Sequence, residues 1–282
     1  MQLINSAEEM QSLAFSWHKQ NQKISFVPTM GALHEGHLSL LREGRKTGDK
    51  LVLSIYVNPA QFAPTEDLAK YPRDTKGDLA KASDCRVDAV FFPSNEVMYP
   101  KGCQTYVEVA NVTKGLCGAS RPSHFRGVAT VVLKLFNIVQ PHVAIFGEKY
   151  YQQLITIQTM ARDLNLPVEI KGMPTVREPD GLALSSRNAY LSKEERIAAL
   201  SLSQSLKIAK EMAAAEKKDI NEILESVKKA IEANGLTKTD YIKICDSETL
   251  EELTTLKSPA RLLIAAFVGK TRLIDNCGIS FF

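Results

Sequence analysis

Short apolar runs and longer amphipathic stretches alternate over the first 175 residues. The apolar runs, at 24–27, 50–57, 89–92, 143–146 and 168–171, have the length of buried strands. Between them, apolar residues recur every three or four positions, which predicts helices over 38–46, 74–82, 129–139 and 151–164. Strands that alternate with helices predict a parallel sheet with helices on both faces. We therefore expect an α/β, Rossmann-like N-terminal domain over residues 1–175.

The pattern changes after a loop at 174–181 that is rich in proline and glycine. Ser192 and Glu195 have the spacing of a capping box at the start of a long helix, and a second helix is predicted from Asp219 to Gly235. Strand-like runs follow at 241–245, 261–268 and 271–275. Two helices and an antiparallel ladder predict a small α+β C-terminal domain over 176–282.

The composition is that of a globular protein, with 44% hydrophobic and 24% charged residues and a net charge of +3 over 282 residues. The charges are interspersed, so we expect neither nucleic acid nor membrane as a partner. No signal-peptide pattern or bilayer-length apolar run is seen, and the five cysteines form no Cys-x-x-Cys pair. These features predict reduced thiols and a cytoplasmic location.

The segment Met30–His37 lies between the strand at 24–27 and the helix predicted from Leu38. A strand, a glycine-containing turn and a helix start together bind phosphates well, since backbone N–H groups and the helix dipole point at one spot. We expect a nucleotide phosphate there, with His34 and His37 as hydrogen-bond donors. Zinc is not expected, because zinc proteases space their histidines as His-Glu-x-x-His on one helix. Gly36 should disfavour helix between these two histidines.

Three further segments carry candidate binding residues at predicted strand ends. Gln61 follows the second long strand. By itself it is better explained as a solvated loop residue, and its position beyond a central strand brings the binding role level with that explanation. Gly147 permits close backbone approach to a ligand. Lys149 can neutralise a phosphate or lie on the surface, and Gln153 is placed to face the cleft. In Leu184–Asn188, two hydroxyls and an Arg can bind a polyphosphate, or the segment can be a mobile linker.

Two other features remain open from the residues alone. The basic, glycine-containing loop at 115–127 can be a lid over an anionic site or a solvated connection. His18 and His142 have no neighbours in the sequence that suggest chemistry, and we expect both to be structural.

Together these motifs resemble those of the pantothenate synthetase, or pantoate–β-alanine ligase, family. The resemblance runs from Phe26 to Asn188 through the segments PTMGALHEGH, YVNPAQF, YPRD, HFRGV, FGEK and SSRN. It implies the nucleotidyltransferase fold, whose His-x-Gly-His turn is shared with class I aminoacyl-tRNA synthetases.

The resemblance implies an enzyme, a ligase that uses ATP to join pantoate and β-alanine into pantothenate. Pantoate and ATP would give pantoyl adenylate and pyrophosphate, and the amine of β-alanine would then release AMP. The implied cofactor is Mg²⁺ on ATP, held mainly by the phosphates. The resemblance also implies a homodimer whose C-terminal domain acts as a lid.

The same resemblance assigns roles to individual residues. His34 and His37 would donate to phosphate oxygens, with His37 as the proton donor. Gln61 and Gln153 would hold pantoate, and Gln61 would also lie near β-alanine. The residues implied to bind ATP are Met30, Gly31, His34, His37, Gly147, Glu148, Lys149, Tyr150, Val176, Leu184, Ser185, Ser186 and Arg187.

Two positions depart from the family pattern. Tyr150 stands where the family has Asp, so a carboxylate contact to the ribose is in doubt. Leu184 replaces a common Met, a mild change between apolar side chains of similar volume.

Three other functions are alternatives to the ligase. A phosphopantetheine adenylyltransferase would share the two-histidine turn but would not need Gln61 and Gln153. An ATP-binding regulator without turnover is favoured only by Tyr150. A nicotinamide oxidoreductase is disfavoured, because no Gly-x-Gly-x-x-Gly follows an early strand.

Overall fold

The computed structural model describes residues 1–63, 68, 71–215, 219–256 and 259–280. The chain divides into two compact units. Unit 1 comprises Met1–Glu148 and Gln153–Pro174, and unit 2 comprises Lys149–Gln152 and Thr175–Phe282. The segment Lys149–Gln152 groups with unit 2 although it precedes the loop at 174–181 in the sequence.

Unit 1 contains a six-stranded parallel sheet in the order β1-β4-β3-β2-β5-β6. Its central strands are buried over most of their length, which explains why they read as unbroken apolar runs. The predicted α/β class is confirmed, and all five predicted strands are present. The strands are β1 Gln2–Ile4, β2 Ile24–Thr29, β3 Lys50–Ile55, β4 Ala89–Phe91, β5 Val143–Gly147 and β6 Glu169–Met173.

Helices connect these strands and supply the apolar side chains that cover the sheet. Their bounds are α1 Ala7–Lys19, α2 Glu35–Thr47, α3 Thr75–Asp84, α4 Asn95–Met98, α5 Cys117–Ser120, α6 His124–Val139 and α7 Tyr151–Asp163. One core cluster joins α2 to the sheet through Leu41, Leu53 and Ile145, all fully buried. Short 3-10 turns lie at Pro59–Gln61 and Glu148–Tyr150.

Several predicted boundaries were wrong for local reasons. Helix α2 begins at Glu35, not Leu38, because the side chain of His34 caps it and Gly36 is accommodated in its first turn. Helix α6 begins at His124, five residues before the predicted start, since His124, Arg126 and Gly127 interrupt the apolar pattern of its first turn. The elements β1 and α1 were not predicted.

The order of the strands locates a crevice in unit 1. From β2 the chain proceeds to β3 and β4 on one side, whereas β5 and β6 lie on the other. In parallel sheets, ligands bind beyond the carboxyl ends of the strands where the order reverses in this way. The residues that follow β2 and β3, Met30–His37 and Asn58–Gln61, therefore lie at one edge with Gly147 at the end of β5, as the sequence predicted.

Unit 2 packs helices on an antiparallel sheet of order β7-β8-β9. Its elements are α8 Lys193–Ala198, α9 Leu200–Ala214, α10 Ile220–Glu232, β7 Thr237–Asp246, β8 Ala260–Val268 and β9 Thr271–Ile279. The core cluster includes Leu202, Leu206, Ile223, Val227, Ile231, Leu262 and Ile264. The predicted capping box of Ser192 and Glu195 is present, but the long helix after it is interrupted at Ala199.

Two further observations apply to the residues that the structure describes. No helix among them is long and apolar enough to cross a membrane. All five cysteines fall within these ranges, and none of them forms a disulfide.

Candidate active site

The turn after β2 reverses the chain through two consecutive left-handed residues. Gly31 has φ +84° and Ala32 has φ +52°. Glycine adopts this conformation without steric cost, whereas for alanine it is strained. The Thr29 hydroxyl accepts a hydrogen bond from Gly31 N–H at 3.3 Å. The turn delivers the chain directly to His34 and the start of α2.

His34 and His37 form a reciprocal cap on the first turn of α2. His34 Nδ1 accepts from Gly36 N–H at 3.1 Å, and His37 Nδ1 accepts from His34 N–H at 3.3 Å. The two ring centroids are 4.2 Å apart. A neutral imidazole that accepts at Nδ1 carries its proton on Nε2. Both rings are therefore set to present an Nε2–H donor, which fits the predicted role of these histidines.

Gly36 is required for this arrangement by space and not by backbone angle. A Cβ on Gly36 would lie 2.8 Å from Cε1 and 3.0 Å from Nδ1 of the His34 ring. The ring thus occupies the volume that a side chain at position 36 would need. The positive end of the α2 dipole lies at the same place, so the turn favours an anion.

Gln61 ends the 3-10 turn after β3, and its amide is oriented by Asn58. The buried Asn58 donates from Nδ2 to Gln61 Oε1 at 3.1 Å and to the Gly127 carbonyl at 3.1 Å. Tyr99 donates its hydroxyl to Asn58 Oδ1 at 2.9 Å. The Gln61 Nε2 group points towards Met30 Sδ, 3.1 Å away. Two predicted site residues, Gln61 and Met30, are therefore in contact.

The backbone of Gln61 is held by α6 and the loop before it. Arg121 and His124 both bind the Gln61 carbonyl oxygen, at 3.2 Å from Nη2 and 2.8 Å from Nδ1. A Cβ on Gly127 would lie 2.2 Å from the Ala60 carbonyl oxygen, so α6 packs directly on this backbone. Sequence reasoning missed Asn58 and left Arg121 and His124 unassigned, although HFRGV was among the family-like segments.

The segment after β5 contributes Gly147, Glu148 and Gln153 to unit 1. A Cβ on Gly147 would meet no atom of the described residues within 4 Å. That open space is consistent with close approach of a ligand to the backbone. Gln153 lies half-buried in the first turn of α7.

Lys149 is a partly buried cationic residue of unit 2 whose pKa is strongly perturbed. Its ammonium donates to the Leu184 carbonyl. Burial, together with the positive charges of Arg187 and Arg177, lowers the pKa of Lys149 to about 8, against the opposing effect of Asp275. A phosphate near this group would restore the charge that burial disfavours.

A short hairpin joins Val176 to Leu184, two more predicted site residues. Leu184 N–H donates to the Val176 carbonyl at 3.0 Å, and Arg177 pairs with Ala183. The Ser185 hydroxyl then accepts from Arg187 N–H at 3.2 Å and starts the 3-10 turn Ser186–Tyr190. The serines and Arg187 are thus set in a defined local structure.

Two ionic contacts anchor this segment to the rest of unit 2. Arg177 binds the carboxylate of Asp275, which is 2% exposed, through both terminal nitrogens at 2.6 and 2.8 Å. Glu178 accepts from Asn188 at 2.8 Å and from Arg196 at 2.6 Å. No sequence pattern signals these pairs, because each joins residues far apart in the chain or separated by a turn.

Other predicted residues can be placed individually. Tyr150 is 47% exposed, so its ring is not part of the core. His142 accepts from Ile24 N–H at Nδ1, and His18 binds the Gln140 carbonyl, which agrees with the structural role expected for both.

Comparison with known proteins agrees with this geometry. The family model described as pantoate-beta-alanine ligase matches residues 2–278. A pantothenate synthetase from Syntrophus aciditrophicus is 55% identical over 276 residues, which cover 98% of this chain and 96% of that relative.

Solved structures match over nearly the whole chain as well. A pantothenate synthetase from Thermus thermophilus superposes with a TM-score of 0.92 at 43% identity, covering 98% of this chain and 99% of the other. A pantoate-beta-alanine ligase from Francisella tularensis, complexed with beta-gamma ATP and beta-alanine, superposes with a TM-score of 0.81 at 35% identity. The match covers 99% of this chain and 97% of the other.

Proposed function

The chain belongs to the pantoate–β-alanine ligase family, and we propose that it condenses pantoate with β-alanine to pantothenate through a pantoyl adenylate, using ATP. The observation that carries this proposal is the turn after β2. Two imidazole rings accept at Nδ1 at the N-terminus of α2, beyond the carboxyl end of a central parallel strand. Such an arrangement favours binding of a phosphate chain and so supports the proposal.

In the first step, a pantoate carboxylate oxygen attacks the α-phosphorus of ATP, and pyrophosphate leaves. Positioning and charge stabilisation carry reactions of this type. We assign Nε2–H of His34 and His37 to the phosphate oxygens, with His37 donating as charge builds on the leaving group. Lys149 and Arg187 add positive charge to the same chain of phosphates.

We assign the pantoate site to Gln61 and Gln153. The Gln61 Nε2 group is a donor whose direction is set by the bond from Asn58 to Oε1. A fixed amide donor suits a carboxylate or hydroxyl oxygen of a small acid. In the second step, the amine of β-alanine attacks the acyl carbon beside Gln61, and AMP leaves with the oxygen that came from pantoate.

The remaining ATP contacts belong to the backbone of Met30, Gly31, Gly147 and Glu148 and to the unit 2 segment. There Val176, Leu184, Ser185 and Ser186 would line the nucleotide, and Tyr150 would contribute its backbone only. The adenylate has to be protected from water. We propose that unit 2 serves as the lid for this purpose.

We place Mg²⁺ on the phosphates of ATP. The donors around the Met30–His37 turn are N–H groups, whereas Mg²⁺ prefers oxygen ligands and commonly keeps substrate phosphates among them. Within the described ranges, no group of three or more His, Cys, Asp and Glu side chains could hold a metal ion. When bound, Mg²⁺ would neutralise phosphate charge. A homodimer in the cytoplasm, implied by the family resemblance, completes the proposal.

Isotope transfer tests the proposal. Pantoate labelled with ¹⁸O in its carboxylate is incubated with the protein, Mg-ATP and β-alanine, and AMP is analysed by mass spectrometry. We expect one ¹⁸O atom in each AMP formed. A phosphopantetheine adenylyltransferase would form no AMP from these substrates, and a regulator would show no turnover. AMP without label would contradict the adenylate.

A further inference from the structure

The carboxylate of Asp78, on helix α3, accepts two hydrogen bonds from the backbone of the turn that follows β2. Asp78 lies in the first turn of α3 and is only 1% exposed. Its Oδ2 accepts from Ala32 N–H at 2.8 Å, and its Oδ1 accepts from Leu33 N–H at 2.7 Å. Both contacts lie in unit 1 and cross more than forty residues of sequence.

Lys81, on the same face of α3, binds the backbone of the same turn. Its ammonium donates to the Leu33 carbonyl at 2.7 Å. Residues three apart on a helix project from one side, so Asp78 and Lys81 reach the turn together. The backbone N–H and C=O groups just before His34 are therefore bound by side chains and not by regular secondary structure.

The turn needs such support because of its backbone. Ala32 is an L-residue held at φ +52°, two positions before His34. Strained conformations of this kind persist only where the surroundings impose them. The Asp78 carboxylate also lies 3.0 Å from the point where a Cβ of Gly31 would be, so it packs tightly on the turn. Loss of the two acceptors would let residues 31–33 relax and carry the His34 ring with them.

We propose that Asp78, assisted by Lys81, is a positioning residue for adenylate formation. It touches no reacting atom in this scheme. It fixes the backbone of Gly31–Leu33 so that both imidazole rings face the phosphate chain. This inference rests on the proposed function.

The test compares Asp78→Asn with Asp74→Ala, a substitution at the N-cap of the same helix. An Asn of the same shape keeps one acceptor but turns an NH₂ group towards a backbone N–H. Asp74→Ala removes the N-cap of α3, where Asp74 accepts from Gly77 N–H at 3.0 Å, without touching the turn. Pantoate-dependent exchange of labelled pyrophosphate into ATP is measured for each, below its melting temperature.

We expect exchange by Asp78→Asn to fall by about 100-fold, the scale of a misplacement of about 1 Å. The loss should lie in kcat and in KM for ATP, and KM for pantoate should stay near that of the wild type. Asp74→Ala should melt at a lower temperature and exchange at nearly the wild-type rate. Equal exchange by the two variants would overturn the inference, as would a rise confined to KM for pantoate.

If Asp78→Asn does not fold, a second pair of variants, Lys81→Met and Lys76→Met, tests the positioning role. Lys81→Met keeps an apolar stem but removes the donor to Leu33, and Lys76→Met makes the same change at an exposed position of α3. Exchange should fall in the first and persist in the second, and equal rates would overturn the inference. Absence of exchange by the wild-type protein would instead refute the proposed function.

Discussion

Protonation of His34 or His37 at Nδ1 would place an N–H donor against a backbone N–H donor. Both His34 and His37 use Nδ1 as an acceptor, and both lie where the α2 dipole disfavours a cation. These hydrogen bonds thus favour the neutral ring with its proton on Nε2. At the residue scale, the local backbone determines the chemistry of the two histidines.

Substitution of Gly36 by Ala should separate helix stability from activity. Alanine is favoured over glycine in a helix by about 1 kcal/mol, but its Cβ would lie 2.8 Å from the His34 ring. We expect the fold to be retained while adenylate formation falls by about tenfold or more, measured by pyrophosphate exchange. Gly278→Ala is the control, since a Cβ there meets no described atom within 4 Å. Equal rates for both would show that the ring position is irrelevant.

Loss of the Lys149 charge at high pH should lower kcat/KM for ATP. Its pKa is lowered to about 8 by burial, so its charge is lost as the pH rises through that value. We expect kcat/KM for ATP to decline above about pH 8, and this decline should be absent in Lys149→Met. A profile shared by both proteins would exclude Lys149 as the phosphate contact.

The lowered pKa of Lys149 also predicts how the free energy of unfolding changes with pH. The unfolded chain keeps its Lys149 proton up to about pH 10.4, whereas the folded protein without ATP releases it near pH 8. The unfolded state therefore binds more protons between these values, and the free energy of unfolding gains a contribution that rises with pH. Urea titrations at the two ends of this range should show a smaller gain in Lys149→Met. Equal gains would contradict the shifted pKa.

At the scale of elements, the pairing of α6 with the 3-10 turn Pro59–Gln61 fixes the proposed pantoate site. Gly127 admits the Ala60 carbonyl where a side chain would be. Gly127→Ala should push this turn away and raise KM for pantoate several-fold more than KM for ATP, as Gln61→Ala should. Ile138→Val, at the far end of α6, destabilises by about 0.5–1.5 kcal/mol without touching the turn. If it changed KM for pantoate equally, general loosening would be the cause.

Element types were predictable because strand runs and helix periods are local signals. The buried strands β2, β3 and β5 and the stripe of α6 were found this way. The start of α2 was not, since a histidine cap on a glycine-containing turn resembles a break in the helix. The contacts of Asp78 with Ala32 and of Arg177 with Asp275 join residues distant in sequence, and no periodic pattern encodes them.

For the whole molecule, the family match explains why so much of the candidate site could be inferred. Motif residues lie at the ends of β2, β3 and β5, and the parallel order of unit 1 brings these ends to one edge. Within unit 2, Lys149, Val176 and Leu184 are joined by hydrogen bonds. The roles of individual residues, the lid function of unit 2 and the homodimer stay predictions.

The formation of pantoyl adenylate is the central claim, and one measurement addresses it directly. The protein is incubated with Mg-ATP, labelled pyrophosphate and pantoate, with β-alanine left out. We predict that label enters ATP only when pantoate is present, because reversal of the first step requires the adenylate. Exchange without pantoate, or no exchange although ATP is bound, would contradict the account.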